Sequence, residues 1–152
     1  MALKIGDVAP DFDLPTDGGG RVRLSDLAGK PVGGYFYPQD DTSGCTKEAQ
    51  EFTALMPEFA ARGVRVIGIS PDGVAAHDRF RAKYDLAVTL AADPDKSVLE
   101  AWGVWVEKSM YGRSYMGVER TTVLVGADGK VAAVWPKVKV AGHAAAVLKA
   151  LG

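Results

Sequence analysis

The sequence has 152 residues, 47% of them hydrophobic, which fits one domain over residues 1–152 with a full core. Its 18 Lys and Arg against 19 Asp and Glu give a formal net charge of −1, and no run of like charge marks a nucleic-acid or membrane surface. The nearly uncharged stretches are far too short to span a bilayer and the N-terminus lacks an apolar signal region, so a soluble, cytoplasmic protein is expected.

Val8 to Leu14 and Arg21 to Leu24 alternate in polarity around Thr16-Asp17-Gly18-Gly19-Gly20, which predicts an N-terminal β-hairpin. Ser25 is placed to cap a brief turn that Gly29 ends. Val32 to Tyr37 reads as a short buried strand, in which Gly33 and Gly34 either thin the packing or admit a close backbone approach. From Thr42 or Ser43 to Arg62 a helix is predicted, because Ala49, Phe52, Leu55, Met56 and Phe59 recur at three- and four-residue intervals. Pro57 is expected to kink this helix and Gly63 to end it. Val64 to Ile69 is the best strand candidate, and Ser70-Pro71-Asp72-Gly73 leads into a helix reaching Tyr84. Strand, helix and strand in succession favour a parallel, right-handed unit, with the start of the first helix at the carboxyl edge of the sheet, where open α/β sheets place their chemistry.

Val88 to Ala91 adds a short strand, and Asp93-Pro94-Asp95-Lys96-Ser97 caps a short helix around Val98 to Trp102. This Asp-rich run lacks the glycine and the downstream glutamate of a calcium loop. Residues 103–118 read as a long aromatic loop, a kind more often functional than idle. Thr121 to Val125 and Val131 to Trp135 flank Ala127-Asp128-Gly129-Lys130 as a hairpin, and His143 to Leu151 makes a terminal helix. The pattern matches a thioredoxin-like α/β domain, although other small α/β folds share these elements.

The only cysteine, Cys45, lies where Pro38 and turn-forming residues give way to helix formers. Unpaired N–H groups and the positive end of the macrodipole favour a thiolate in a first helical turn. Its neighbours Asp40, Asp41, Lys47 and Glu48 cannot all be buried unpaired, so Cys45 is expected in an exposed or half-exposed turn. A single cysteine excludes an internal disulfide and every dithiol or Cys-rich zinc motif. His77 and His143 show no metal-ligand spacing, so neither metal nor cofactor is expected. From the residues alone, Thr42 is an N-cap or shares the sulfur's face, Glu48 is a first-turn or capping-box carboxylate, and Arg120 is a solvated edge charge. Gly18-Gly19-Gly20, inside a hairpin, is no phosphate loop.

Pro38, Thr42 and Cys45 have the Pro-x-x-x-Thr-x-x-Cys spacing of the peroxiredoxins. Tyr35-Phe36-Tyr37-Pro38, Gly44-Cys45-Thr46-Lys47-Glu48-Ala49, Gly68-Ile69-Ser70-Pro71-Asp72, Trp102-Gly103-Val104-Trp105, Glu119-Arg120-Thr121-Thr122 and Lys137-Val138-Lys139-Val140-Ala141-Gly142-His143 extend the match. The chain resembles the bacterioferritin-comigratory, or PrxQ-like, branch nearly end to end. The resemblance implies a thioredoxin-like fold, a mixed central sheet flanked by helices with an N-terminal β-hairpin, and bulkier aliphatics where Gly33 and Gly34 stand.

It also implies a thiol-dependent peroxidase that reduces hydrogen peroxide and organic hydroperoxides through a Cys45 sulfenic acid. In that reading Thr42 hydrogen-bonds the peroxide, Pro38 shields the site from water, Arg120 holds the thiolate and the attacked oxygen, and Glu48 orients Arg120. Tyr37, Trp102, Trp105, Tyr111 and Tyr115 are candidates for an apolar entrance or for core packing. Many members of the branch carry a resolving cysteine five positions after the first, where this chain has Gln50. Recycling then falls to an external thiol, a small molecule, a thioredoxin or a glutaredoxin, acting on a monomer or at most a weak dimer. Two other functions compete: a thiol redox sensor or interaction module without efficient turnover, and a hydrolase pairing Cys45 with a histidine.

Overall fold

In the computed structural model, which describes residues 3–151, the strands are β1 (Asp13–Pro15), β2 (Arg21–Arg23), β3 (Val32–Phe36), β4 (Arg65–Ser70), β5 (Thr89–Ala92), β6 (Trp105–Met110), β7 (Arg113–Val118), β8 (Thr121–Val125) and β9 (Val131–Trp135). The helices are α1 (Ser43–Ala61), α2 (Val74–Tyr84), α3 (Ser97–Ala101) and α4 (His143–Ala150). Strands β3, β4 and β5 run parallel, whereas β8 and β9 join antiparallel, giving one mixed sheet in the order β5-β4-β3-β8-β9. β1 and β2 form the expected N-terminal hairpin, though shorter than the sequence suggests, with Val8 bridging instead to Lys130. This is the thioredoxin-like arrangement.

Alternation along the central strands divides the core between the two faces of the sheet. Val32, Phe36, Ile67 and Ile69 pack on one face with Phe12, Leu99 and Trp102. Tyr35, Tyr37 and Val66 pack on the other with Ala49, Phe52 and Phe59 of α1 and Val147 of α4. Gly33 and Gly34 admit no close approach, since a Cβ on either would meet nothing nearer than a carbonyl oxygen at 4.0 Å. The close approach lies at Gly68, where a Cβ would fall 2.7 Å from the Tyr35 ring.

α1 stays helical through Pro57 to Ala61, and its end is tied by the Val64 N–H to the Phe59 carbonyl at 3.0 Å. Residues 103–118 are not a loop: β6 and β7 pair antiparallel from Trp105↔Val118 to Met110↔Arg113. Most of the hairpin is solvated, with Met110, Tyr115 and Met116 exposed on it, so neither face is fully buried and the two-residue periodicity that announces a half-buried strand is lost. Its turn, Tyr111-Gly112, has φ of 53° and 77°, and tyrosine is an unusual residue where such a turn prefers asparagine or aspartate. Among the described residues no helix is long and apolar enough to cross a membrane.

Candidate active site

Residues 37–42 carry the chain from the carboxyl end of β3 into the first turn of α1, and the neighbouring elements pin them down. Asp40 accepts a hydrogen bond from the Tyr37 hydroxyl at 2.7 Å, sits 2.6 Å from His77 Nδ1, and gives its N–H to Asp72 at 2.8 Å. Asp41, at φ 59°, accepts from Lys83 at 2.8 Å and from the Tyr84 hydroxyl at 2.6 Å. Pro38 opens this segment, half-buried. Thr42 occupies the N-cap position with extended backbone, but its hydroxyl makes no capping bond and donates to the Gln39 carbonyl at 2.9 Å. The helical ladder begins with the Thr46 N–H bonded to the Thr42 carbonyl, so the N–H groups of Gly44 and Cys45 lie ahead of it.

Cys45 is only 1% exposed, against the expectation of an open turn. The helical period explains the difference: Cys45, Ala49 and Phe52 recur on the core face, while Lys47 and Gln50 point to solvent. The polar neighbours therefore said little about the thiol itself. Glu48, one turn on, is also 1% exposed.

Arg120 reaches this site because β8 pairs with β3 in the register Phe36↔Thr121, which sets the residue before β8 beside the end of β3. Its Nη2 donates to Cys45 Sγ at 3.2 Å and its Nη1 to Glu48 Oε1 at 2.7 Å. It is thus a half-buried bridge between thiol and carboxylate, and the solvated edge charge read from the residues alone is set aside. Burial opposes the Arg120 charge, but Glu48 and Cys45 outweigh it and hold the guanidinium above its usual range. Burial acts on Glu48 more strongly than Arg120 does, and pushes its carboxyl up to about 7. α1 approaches the guanidinium closely, since a Cβ on Gly44 would lie 3.3 Å from Nη2.

Cys45, Arg120 and Glu48 are thus joined by two hydrogen bonds, while Thr42 and Pro38 belong to the segment beside them. Neither histidine partners the sulfur. His77 lies against Asp40 and the Ala91 carbonyl, and His143 pairs with Thr122 at 2.7 Å, its imidazole lowered to about 4 by burial and then by the Arg120 charge. A Cys-His hydrolase arrangement is absent among the described residues. Of the aromatic candidates, Tyr37 and Trp102 pack in the core, and Tyr111, 97% exposed, and Tyr115 stand on the β6–β7 hairpin. The Tyr37-Asp40-His77 cluster escaped sequence reasoning, which weighed His77 only as a metal ligand or base. Its spacing to Phe80 on one helical face was the available sign that it is buried.

The AhpC/TSA family model matches residues 5–134. The chain is 51% identical over 148 residues to a putative peroxiredoxin Bcp of Coxiella burnetii, covering 97% of this chain and 98% of that protein. Peroxiredoxin Bcp of Bacillus subtilis is 42% identical over 151 residues, covering 99% and 96%. Among solved structures, the bacterioferritin comigratory protein of Xanthomonas campestris, studied as trapped intermediate and ligand complexes for its alkyl peroxide reduction activity, superposes with a TM-score of 0.90. It is 44% identical over 98% of this chain and 95% of that one. Matched across most of its length by the family model and nearly end to end by these relatives, the chain belongs to the AhpC/TSA family and is an enzyme of the peroxiredoxin class.

Proposed function

We propose that the chain, as one domain over residues 1–152, reduces hydrogen peroxide and organic hydroperoxides at Cys45. The observation that carries this reading is the Arg120 guanidinium, held 2.7 Å from Glu48 and 3.2 Å from the Cys45 sulfur at the start of α1. A cation so placed stands where charge passes from sulfur to oxygen. The thiolate sulfur bonds to one peroxide oxygen as the O–O bond breaks. Sulfur is oxidised to the sulfenic acid, the peroxide is reduced to an alcohol or water, and the departing oxygen takes up a proton.

The Thr42 hydroxyl donates its proton to the Gln39 carbonyl, which leaves its lone pairs to accept the peroxide O–H. Pro38, with no N–H to solvate, keeps water from the segment. Glu48 fixes the guanidinium plane through a charge-assisted bond.

With Gln50 exposed on α1 and no second cysteine in the sequence, the sulfenic acid is reduced by an external thiol. That thiol condenses with it to a mixed disulfide, releasing water, and a second thiol frees Cys45. Because Cys45 is 1% exposed, a protein thiol such as a thioredoxin or glutaredoxin reaches its sulfur only when the first turn of α1 opens. The reducing cytoplasm supplies such thiols, and the protein acts there as a monomer or weak dimer.

Stoichiometric peroxide reduction followed by intact-mass detection of Cys45 sulfenic acid tests the chemistry before the reductant is known. Steady turnover with excess thiol then separates an enzyme from a redox sensor. Peroxide left unconsumed by the fully reduced protein overturns the reading.

A further inference from the structure

A second buried ionisable cluster lies behind the active-site segment, and the peroxide chemistry does not use it. His77, 0% exposed on α2, faces Asp40 Oδ2 at 2.6 Å through Nδ1 and the Ala91 carbonyl at 3.0 Å through Nε2. Both neighbours are acceptors. A neutral imidazole has one N–H and one lone pair, so with Asp40 ionised it would set lone pair against lone pair at one end. The imidazolium satisfies both ends. The other oxygen of Asp40 accepts the Tyr37 hydroxyl at 2.7 Å, as a carboxylate does.

We propose that His77, as an imidazolium, is a positioning residue for the reaction at Cys45: it fixes the Asp40 carboxylate, and Asp40 fixes the segment that carries Pro38 and Thr42. This inference rests on the peroxidase reading above. The link is short. Asp40 stands between Pro38 and Thr42, and its N–H is tied to Asp72, whose Oδ2 also receives the Ser70 hydroxyl at 2.7 Å. The carbonyl that holds the Thr42 hydroxyl belongs to Gln39, the residue before Asp40. Displacing Asp40 therefore displaces the acceptor that orients Thr42.

The groups that face the ring are Asp40 and Tyr37 from the segment after β3, Asp72 from the turn between β4 and α2, and the Ala91 carbonyl from β5. Burial opposes the charge on His77. The Asp40 hydrogen bond and charge, with smaller help from the Ala91 carbonyl and Asp72, outweigh it and hold His77 above its ordinary 6.5. Loss of the proton at higher pH removes one of the two bonds and leaves the Asp40 carboxylate buried without its cation. The segment then relaxes, and the rate at Cys45 falls on the alkaline side.

The test uses the full chain labelled with 15N-histidine. The expected spectrum at pH 7 shows both His77 ring nitrogens protonated, with the proton lost only at higher pH. In parallel, the second-order rate of Cys45 oxidation by hydrogen peroxide is followed against pH in wild type and His77→Asn. The asparagine amide stands near Nδ1 and donates to Asp40, but cannot titrate. Wild type should lose roughly tenfold or more in rate through the His77 titration, the scale expected when reacting groups are misplaced. His77→Asn should lose that alkaline fall. A neutral His77 ring at pH 7, or identical pH–rate profiles for the two proteins, overturns the proposal; if the variant does not fold, the wild-type spectrum decides it. A wild type that consumes no peroxide sinks the peroxidase reading and this proposal with it, whereas an active wild type with a neutral ring sinks this proposal alone.

Discussion

The Arg120 guanidinium donates to the Cys45 sulfur at 3.2 Å although the two residues stand 75 positions apart in the chain. Its other nitrogen is fixed by Glu48, so position and charge at the sulfur are set together. Arg120→Ala should slow the reaction of Cys45 with peroxide by on the order of tenfold to a thousandfold, the loss seen when one donor to a developing charge is removed. Stopped-flow measurement of sulfenic acid formation checks this. Equal second-order rates in variant and wild type would remove Arg120 from the site.

Thr42→Val should bring a loss of similar order, because it removes the hydroxyl proposed to hydrogen-bond the peroxide. The Thr42 side chain makes no capping bond, so stability to denaturant should fall by no more than the exposed bond to the Gln39 carbonyl contributes, about 1 kcal/mol. A slower rate accompanied by loss of helical circular dichroism would assign the residue to the helix instead.

Cys45→Ser should abolish peroxide consumption and leave the far-ultraviolet circular dichroism unchanged, since a neutral hydroxyl does not replace a thiolate. In the wild type treated with peroxide and no thiol, mass spectra should show sulfenic acid, then overoxidised forms or an intermolecular disulfide. Full recovery of oxidised monomer without any external reductant would refute the single-cysteine cycle.

Glu48 links the site to acid–base stability. Burial raises its carboxyl from the ordinary 4.5 to about 7, so the folded protein retains a proton that the unfolded chain releases. The associated stability is fully present below 4.5 and is lost as pH rises through about 7. Glu48→Gln cannot titrate, and its stability curve should be flatter than wild type across that window. Parallel curves from chemical denaturation would contradict the assignment.

Gly33 lies in the buried β3, and a Cβ there would meet only the Arg65 carbonyl oxygen at 4.0 Å. Gly33→Ala should therefore stabilise the protein by roughly 0.5–1 kcal/mol through reduced freedom of the unfolded chain. A lower denaturation midpoint in the variant would show that the strand needs the glycine.

The sequence by itself determined what is local. Turn residues before a helix period located Cys45, and Pro38, Thr42 and Cys45 stand within one short segment whose spacing can be read directly. The strand and helix order of the βαβ core followed from periodicity in the same way, because propensity and alternation act over a few residues. The β6–β7 hairpin escaped, since a ribbon solvated on both faces carries no such alternation.

Only the tertiary structure decided that Cys45 faces the core and that His77 meets Asp40 across 37 positions, whereas the meeting of Glu48 with Arg120 across 72 was implied by the family resemblance and not by the residues alone. These pairings depend on which strands lie side by side. Antiparallel β8 beside β3 delivers Arg120 to the thiol, and α2 following parallel β4 delivers His77 to the loop. A buried charge states the need for a partner but not its address. The sheet order supplies the address, because hydrogen-bonded strands fix the register of residues far apart in sequence.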